Sequence, residues 1–190
     1  MNFLIGLILF ALCILFFNMA TKAQIALTVS NRWTEYAAKY GGIFSIPLAR
    51  VLAHICQESK GNQYWLRNDK KAESFYGSTL DEALEKLREW DSEGFDLQKC
   101  SVGLMQLVPK YGLADFNAKY GKNYTLYDVL QNSWANIEAG TGYLKILFDH
   151  LGNLDDATRA FNVGPDLEPR AQADVYLSRI LTYQALIPKS

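Results

Sequence analysis

Leu48, Val51, Leu52 and Ile55 fall at i, i+3, i+4 and i+7, the spacing of one face of an α-helix, and three residues further on the stripe reaches a carboxylate, Glu58. Pro47 stands in the first turn of this helix, where a missing N–H costs nothing. Ser45 is placed to cap it, and Gly61-Asn62 to end it. An acid at the end of an apolar stripe is either shielded or functional, because a charge is expensive to bury unless it is paired. The stripe thus specifies a helix and leaves Glu58 as the residue to explain. A second stretch, Ser101-Val102-Gly103-Leu104-Met105-Gln106, reads as a small, flexible, mildly polar turn. Its Ser101 and Gln106 can hydrogen-bond a carboxylate or a sugar.

Helical periodicity recurs around these two pieces, while alternating strands are nearly absent. Residues 31–40 predict a short helix with Trp33, Tyr36, Ala37 and Tyr40 on one side, stopped by Gly41-Gly42. Residues 63–78 mix Tyr64, Trp65, Phe75 and Tyr76 with polar residues and read as a loop or irregular hairpin, a candidate cleft wall. Thr79 and Glu82 form a capping-box pattern ahead of Leu80, Ala83, Leu84, Leu87 and Trp90. Further helices are expected over residues 111–120, from Thr125, over 134–151 with Ile137, Gly140, Thr141, Leu144 and Leu147 inward, from the cap Asn153 to Gly164-Pro165, and over 171–186. The fold class is therefore mainly α with minimal β. At 190 residues the chain has the length of one globular domain.

That domain follows an N-terminal hydrophobic segment, since residues 3–17 are all apolar or Gly. The expected division is 1–23 as signal peptide or membrane anchor and 24–190 as the domain. The run has signal-peptide length but no basic n-region, and Ala20 or Ala23 would be the cleavage point. Carried on through Met19 and Ala20, it would instead be a short anchor. Lys22 is the first charge after the run and none precedes it, so charge leaves the topology open. Cys13 lies mid-run behind Leu12, which is too large for the usual lipid-attachment motif. The formal charge of −1 gives no electrostatic case for nucleic acid. Cys56 and Cys100 would be permitted to pair in an oxidising compartment, with two buried thiols as the simpler reading. His54, one turn before Glu58, reads as a partly exposed structural histidine. No metal site is indicated, because His54 and His150 lie on different helices without clustered cysteine partners.

Four pieces in order carry a resemblance: Glu58-Ser59; Gly103-Leu104-Met105-Gln106; Asn136-Ile137-Glu138-Ala139-Gly140 with Tyr143-Leu144; and Ala160-Phe161-Asn162-Val163-Gly164. Spread over nearly all of residues 30–187, they resemble the lytic transglycosylases of the soluble-transglycosylase (SLT), lysozyme-like superfamily. The stretch from Thr79 to Gln106 looks particularly like the small transglycosylases attached to type IV secretion systems, and similar domains occur in phage virions. The resemblance implies a lysozyme-like fold, no cofactor, and peptidoglycan glycan strands as partner. It makes Glu58 the catalytic acid and base and Ser101 the nearby hydroxyl that orients it. Met105, Gln106 and Asn162 would line the glycan groove, with Tyr143 and Phe161 in the substrate-binding set. The family usually has Tyr where this chain has Phe161, so a hydrogen bond from that phenol is missing. The segment between Glu58 and Ser101 is also long for the broader family. A periplasmic or cell-envelope location would follow, or a virion membrane for a phage protein. Membrane contact through an uncleaved leader and a secretion-system or virion assembly would be further partners.

Cleaving a glycosidic bond needs a proton on the leaving oxygen, and a carboxyl supplies one near neutral pH only when desolvation raises its pKa. Val51, Ile55, Leu104 and Met105 are the expected apolar shelter. Most glycosidases pair the acid with a second carboxylate. None lies here at a telling spacing, and Asp91, Glu93 and Asp96 sit in a polar segment expected to face solvent. The family's answer is one acid with two roles. Glu58 protonates the leaving oxygen, the substrate N-acetyl group helps stabilise the oxocarbenium-like centre, and Glu58 then takes the proton of the muramic-acid 6-hydroxyl as a 1,6-anhydro ring closes. A muramidase, with water attacking, is the alternative chemistry. A glycan-binding component that has lost turnover is the alternative outside catalysis.

Overall fold

A computed structural model describes residues 2–188. The chain opens with one unbroken helix, α1 (Asn2–Phe44), and turns sharply into α2 (Leu48–Ser59). A hairpin follows, β1 (Trp65–Asn68) and β2 (Glu73–Tyr76), then α3 (Leu80–Ser92), a 3-10 turn over Leu97–Lys99 and the two-residue strand β3 (Ser101–Val102). A wide π turn over Pro109–Leu113 leads into α4 (Ala114–Tyr120). The remaining helices are α5 (Leu126–Gln131), α6 (Ser133–Leu151), α7 (Leu154–Val163) and α8 (Arg170–Leu186). β1 is the centre of a small antiparallel sheet in the order β2-β1-β3, where Leu66 faces Phe75 on one side and Val102 on the other. The expected mainly-α, lysozyme-like single domain is what the chain forms.

The core is built from the predicted stripes. α1 buries Ala26, Val29, Trp33, Ala37, Tyr40 and Phe44 at helical spacing, and α2 buries Val51, Leu52 and Ile55 against it. On α6, Ile137, Gly140, Thr141, Leu144 and Leu147 are all buried, as expected. α8 contributes Ala173, Tyr176, Leu177, Ile180 and Tyr183. Burying such a side chain is worth about 1.5–3 kcal/mol, so these stripes outweigh weak local preferences. Arg50 ties three helices at one point. Its Nε donates to Gln184, Nη1 to Thr158 and Nη2 to Asp155, at 2.8, 2.6 and 2.8 Å.

Three local expectations are corrected. Residues 31–40 are not a separate helix but part of α1, which runs through Gly41-Gly42 and ends only where Ser45 adopts a left-handed φ of 56°. A glycine inside a helix costs only about 1 kcal/mol, less than the buried face of α1 returns. Ser45 does not cap α2; Pro47 occupies the cap position, and its carbonyl accepts the first helical bonds from Arg50 and Val51. The Ser101 stretch is a turn only over residues 103–106, since Ser101 and Val102 are strand residues paired to Arg67 and Leu66. The irregular hairpin at 63–78 and the Thr79 cap of α3 are present.

The apolar run at 3–17 begins α1. Cys13 and most side chains of that run lie outside the described residues. Among the described residues no helix is long and apolar enough to cross a membrane.

Candidate active site

α2 ends at Ser59, with Lys60 in the left-handed conformation, which leaves Glu58 in the final turn beside the hairpin and α8. Glu58 is half-buried and lines a cavity of about 460 Å³ with Trp65 and Arg67 of β1, Ser74 of β2, Asn162 of α7 and Tyr176 of α8. It is the only carboxylate lining that cavity among the described residues. The hairpin is therefore a cleft wall, as its aromatic content implied.

The carboxyl is held from behind. Tyr176 donates its hydroxyl hydrogen to Oε1 of Glu58, and the same phenol oxygen lies 3.1 Å from Nδ1 of His54. Burial pushes Glu58 up from 4.5 to about 7, with the Tyr176 hydrogen bond and the charge of Arg67 pulling the other way. The Tyr176 phenol itself is raised well above its ordinary value by burial and by the neighbouring carboxylate, so it stays protonated and remains a donor. His54 is fully buried rather than partly exposed. Desolvation, aided by the charge of Arg50, holds its pKa down at about 3, and the edge of Phe161 packs against it with ring centres 4.8 Å apart.

A second cavity, about 430 Å³, adjoins the first at Asn162, which lines both. Gln106, Tyr111, Tyr143 and Phe161 form its walls. Gln106 is anchored by its amide nitrogen, which donates to the carbonyls of Trp65 and Gly103 at 2.9 Å each, while its buried Oε1 has no protein partner. Those two bonds hold the side chain in place behind the wall. Asn162 accepts from Gln172 at 3.1 Å. Tyr143 and Phe161 pack as a pair with ring centres 5.5 Å apart.

Two of the sequence motifs lock together beneath this groove. Asn136 accepts from the backbone N–H of Met105 at 2.8 Å and donates to the carbonyl of Val102 at 3.1 Å. Gly103, at φ +77°, leaves room for it, since a Cβ there would lie 2.2 Å from the Asn136 amide nitrogen. Gly140 does the same for Met105, whose Sδ would meet an added Cβ at 2.5 Å. The two pieces, 31 residues apart at Met105 and Asn136, are thus joined in the fold, one clamping the other.

The structure brings Glu58, Gln106, Tyr143, Phe161 and Asn162 to the two cavities and leaves two residues out. Met105 is fully buried under α6 and lines neither cavity. Ser101 is 2% exposed and likewise lines neither. Among the described residues the hydroxyl on Glu58 belongs to Tyr176 and not to Ser101. Val51, Ile55, Leu104 and Met105 are core residues, and the group packed directly on the carboxyl is the phenol. Sequence reasoning missed Tyr176. Its one signal was a polar-tipped ring on the Ala173, Tyr176, Leu177, Ile180 stripe, where a buried O–H needs a partner.

Cys56 and Cys100 are free and buried, and burial pushes their thiols up to about 12 and about 11. Asp91, Glu93 and Asp96 are exposed. Among the described residues no three His, Cys, Asp or Glu side chains cluster as a metal site requires.

No curated protein matches the sequence significantly. The family described as Transglycosylase SLT domain matches residues 35–180, from the last quarter of α1 into the second half of α8, and so takes in Glu58, both cavities and Tyr176. The chain belongs to the SLT transglycosylase family, glycan-cleaving enzymes that act on peptidoglycan.

Proposed function

We propose that this chain is a peptidoglycan lytic transglycosylase that cleaves the MurNAc-GlcNAc β-1,4 bond and leaves a 1,6-anhydro-MurNAc end. The observation that carries the reading is a lone carboxyl at the wall of a groove, poised near 7 by opposing influences. Burial favours the protonated form needed to protonate the glycosidic oxygen. Tyr176 and Arg67 favour the carboxylate that remains once the proton has left. A group balanced between them serves first as acid and then as base at one pH.

In the first step the proton of Glu58 passes to the leaving oxygen as the bond to C1 breaks and positive charge develops on the muramic-acid ring. In the second, the O6 hydroxyl attacks C1 and its proton goes to the Glu58 carboxylate, which restores the acid. No second carboxylate is needed, in keeping with the lining of the cavity. Asn162 holds sugar hydroxyls and N-acetyl groups, Gln106 shapes the groove wall, and Tyr143 and Phe161 supply apolar faces for the rings.

The working location is the periplasmic side of the cell envelope or a virion membrane, where local wall opening serves a secretion apparatus or genome entry. Support comes from the apolar run at 3–17, which leads without a break into the helix that carries the domain's own core. The test is a muropeptide digest with wild type beside Glu58→Gln, read by mass spectrometry. Anhydro ends from wild type and none from the variant support the proposal. Reducing ends heavier by one water would make the enzyme a muramidase, and wall binding without any product would make it a glycan-binding component.

A further inference from the structure

Three groups stand in a row from the groove wall inward: half-buried Glu58 and buried His54, one turn apart on α2, and between them buried Tyr176 from α8. The phenol oxygen touches both, donating to Oε1 of Glu58 and lying 3.1 Å from Nδ1 of His54. A phenol has one hydrogen and can also accept, so the direction of this chain depends on where the imidazole carries its proton.

Two arrangements are possible. If the hydrogen is on Nδ1, it donates to the Tyr176 oxygen, the phenol hydrogen goes to Glu58, and every hydrogen in the row has an acceptor. If it is on Nε2, the row must reverse. The phenol then donates to Nδ1, the acid proton of Glu58 turns inward to the phenol, and an N–H is left on Nε2, which is buried with no partner. Nε2 is without a partner in both arrangements, as a bare acceptor in the first and as an N–H in the second, and an orphaned buried N–H is the rarer of the two in folded proteins. The reversed row would also point the acid's proton away from the groove.

We propose that His54 is a positioning residue for Glu58 that acts through Tyr176: its Nδ1–H fills the acceptor side of the phenol and commits the phenol's only hydrogen to Oε1. The acid's own proton is then held on Oε2, the oxygen that Tyr176 does not occupy. His54 itself stays neutral, since desolvation keeps its pKa far below the working range. The charged and titratable groups around the row are Arg50 on α2, Arg67 on β1, and Arg179 on α8 at the cavity wall, while α7 presents the uncharged Phe161.

A donor feeding the phenol makes it a stronger donor in turn, which stabilises the Glu58 carboxylate. Removing His54's donor should therefore raise the Glu58 titration midpoint. Mere loosening of the site would admit water and lower it toward the ordinary carboxylate value. The two explanations differ in sign.

The inference rests on Glu58 being the acid of the proposed reaction, but its primary readouts need no turnover. In the full chain, long-range proton–nitrogen correlation of the imidazole should show a neutral Nδ1–H tautomer for His54. Carbon-detected titration of Glu58 should show the midpoint rising by about 0.5 or more in His54→Leu. Tyr176→Phe should raise it at least as far, and His54→Leu should add nothing in that background. His54→Asn, whose amide nitrogen falls near the Nδ1 position, should restore the wild-type midpoint, and His54→Gln, which reaches the Nε2 position, should not. An Nε2–H tautomer, a downward shift, or an equal effect of His54→Leu with and without Tyr176 would overturn the proposal. A wild type that releases no muropeptide would overturn the proposed function and leave these readouts intact.

Discussion

Tyr176, on α8, donates its hydroxyl hydrogen to Oε1 of Glu58, on α2, across 118 residues of sequence. Among the described residues the phenol is the hydroxyl partner of the candidate acid, and it comes from the last helix and not from the Ser101 strand or position 161. Tyr176→Phe keeps the ring and deletes the donor. The variant should fold, lose about 10- to 100-fold in kcat and keep KM within about threefold, as expected for a group that acts on the acid and not on substrate binding. Steady-state digestion of purified glycan strands checks this, and an unchanged kcat would make the phenol a spectator.

The pH behaviour of Glu58 follows from its raised value, about 7 against an ordinary 4.5. Cleavage should decline as pH rises through 7, because the acid form is lost. For stability, the folded state holds the proton more tightly than the unfolded state. The contribution is therefore fully present below about 4.5 and lost as pH rises through 7. Glu58→Gln, which cannot ionise, should melt with wild type near pH 4.5. At about pH 8 it should be more stable by about 1–3 kcal/mol. Calorimetry at the two pH values tests the sign.

Asn136 holds the Met105 N–H and the Val102 carbonyl in the protein interior. Asn136→Leu would leave the buried Met105 N–H unmet, while the Val102 carbonyl keeps the Leu107 N–H at 3.1 Å, and should destabilise the protein by about 1–3 kcal/mol. Gly103→Ala should act in the same direction, since its Cβ would collide with the Asn136 amide at a position of φ +77°. Urea denaturation midpoints measure both, and wild-type stability in either variant would contradict the clamp.

Arg50 joins α2 to Thr158 and Asp155 of α7 and to Gln184 of α8 through three different guanidinium nitrogens. A lysine has one nitrogen and cannot span them. Arg50→Lys should therefore lose most of what Arg50→Met loses, about 2–4 kcal/mol in each case. Full recovery by lysine would show that charge alone matters there.

Gln106 lines the groove wall, and its amide nitrogen is fixed on the carbonyls of Trp65 and Gly103. Gln106→Leu should raise KM for glycan strands by about tenfold or more through loss of the two hydrogen bonds that fix this wall. A variant with unchanged KM would remove Gln106 from the substrate wall.

Much of the helix pattern was legible because it depends on neighbours in sequence. The Leu48–Ile55 stripe, the inward face of α6 and the caps Thr79 and Asn153 all appear where periodicity and capping chemistry put them. Where a local signal competed with packing, packing decided. Gly41-Gly42 reads as a stop, yet the buried face of α1 carries the helix three residues past Gly41 to Phe44. Ser101 reads as part of a flexible turn, yet pairing with Arg67 fixes it in a sheet and buries it.

By itself the sequence determined a mainly helical domain, an acid at the end of an apolar stripe and the order of four motifs, because all three are written in short-range spacing. Only the tertiary structure decided which groups touch that acid. It took Met105 and Ser101 away from the groove, buried His54 beside the phenol and brought Tyr176 to Glu58. Those contacts depend on how α2, α7 and α8 pack, and packing is set by the sum of buried surfaces rather than by any one stretch of chain.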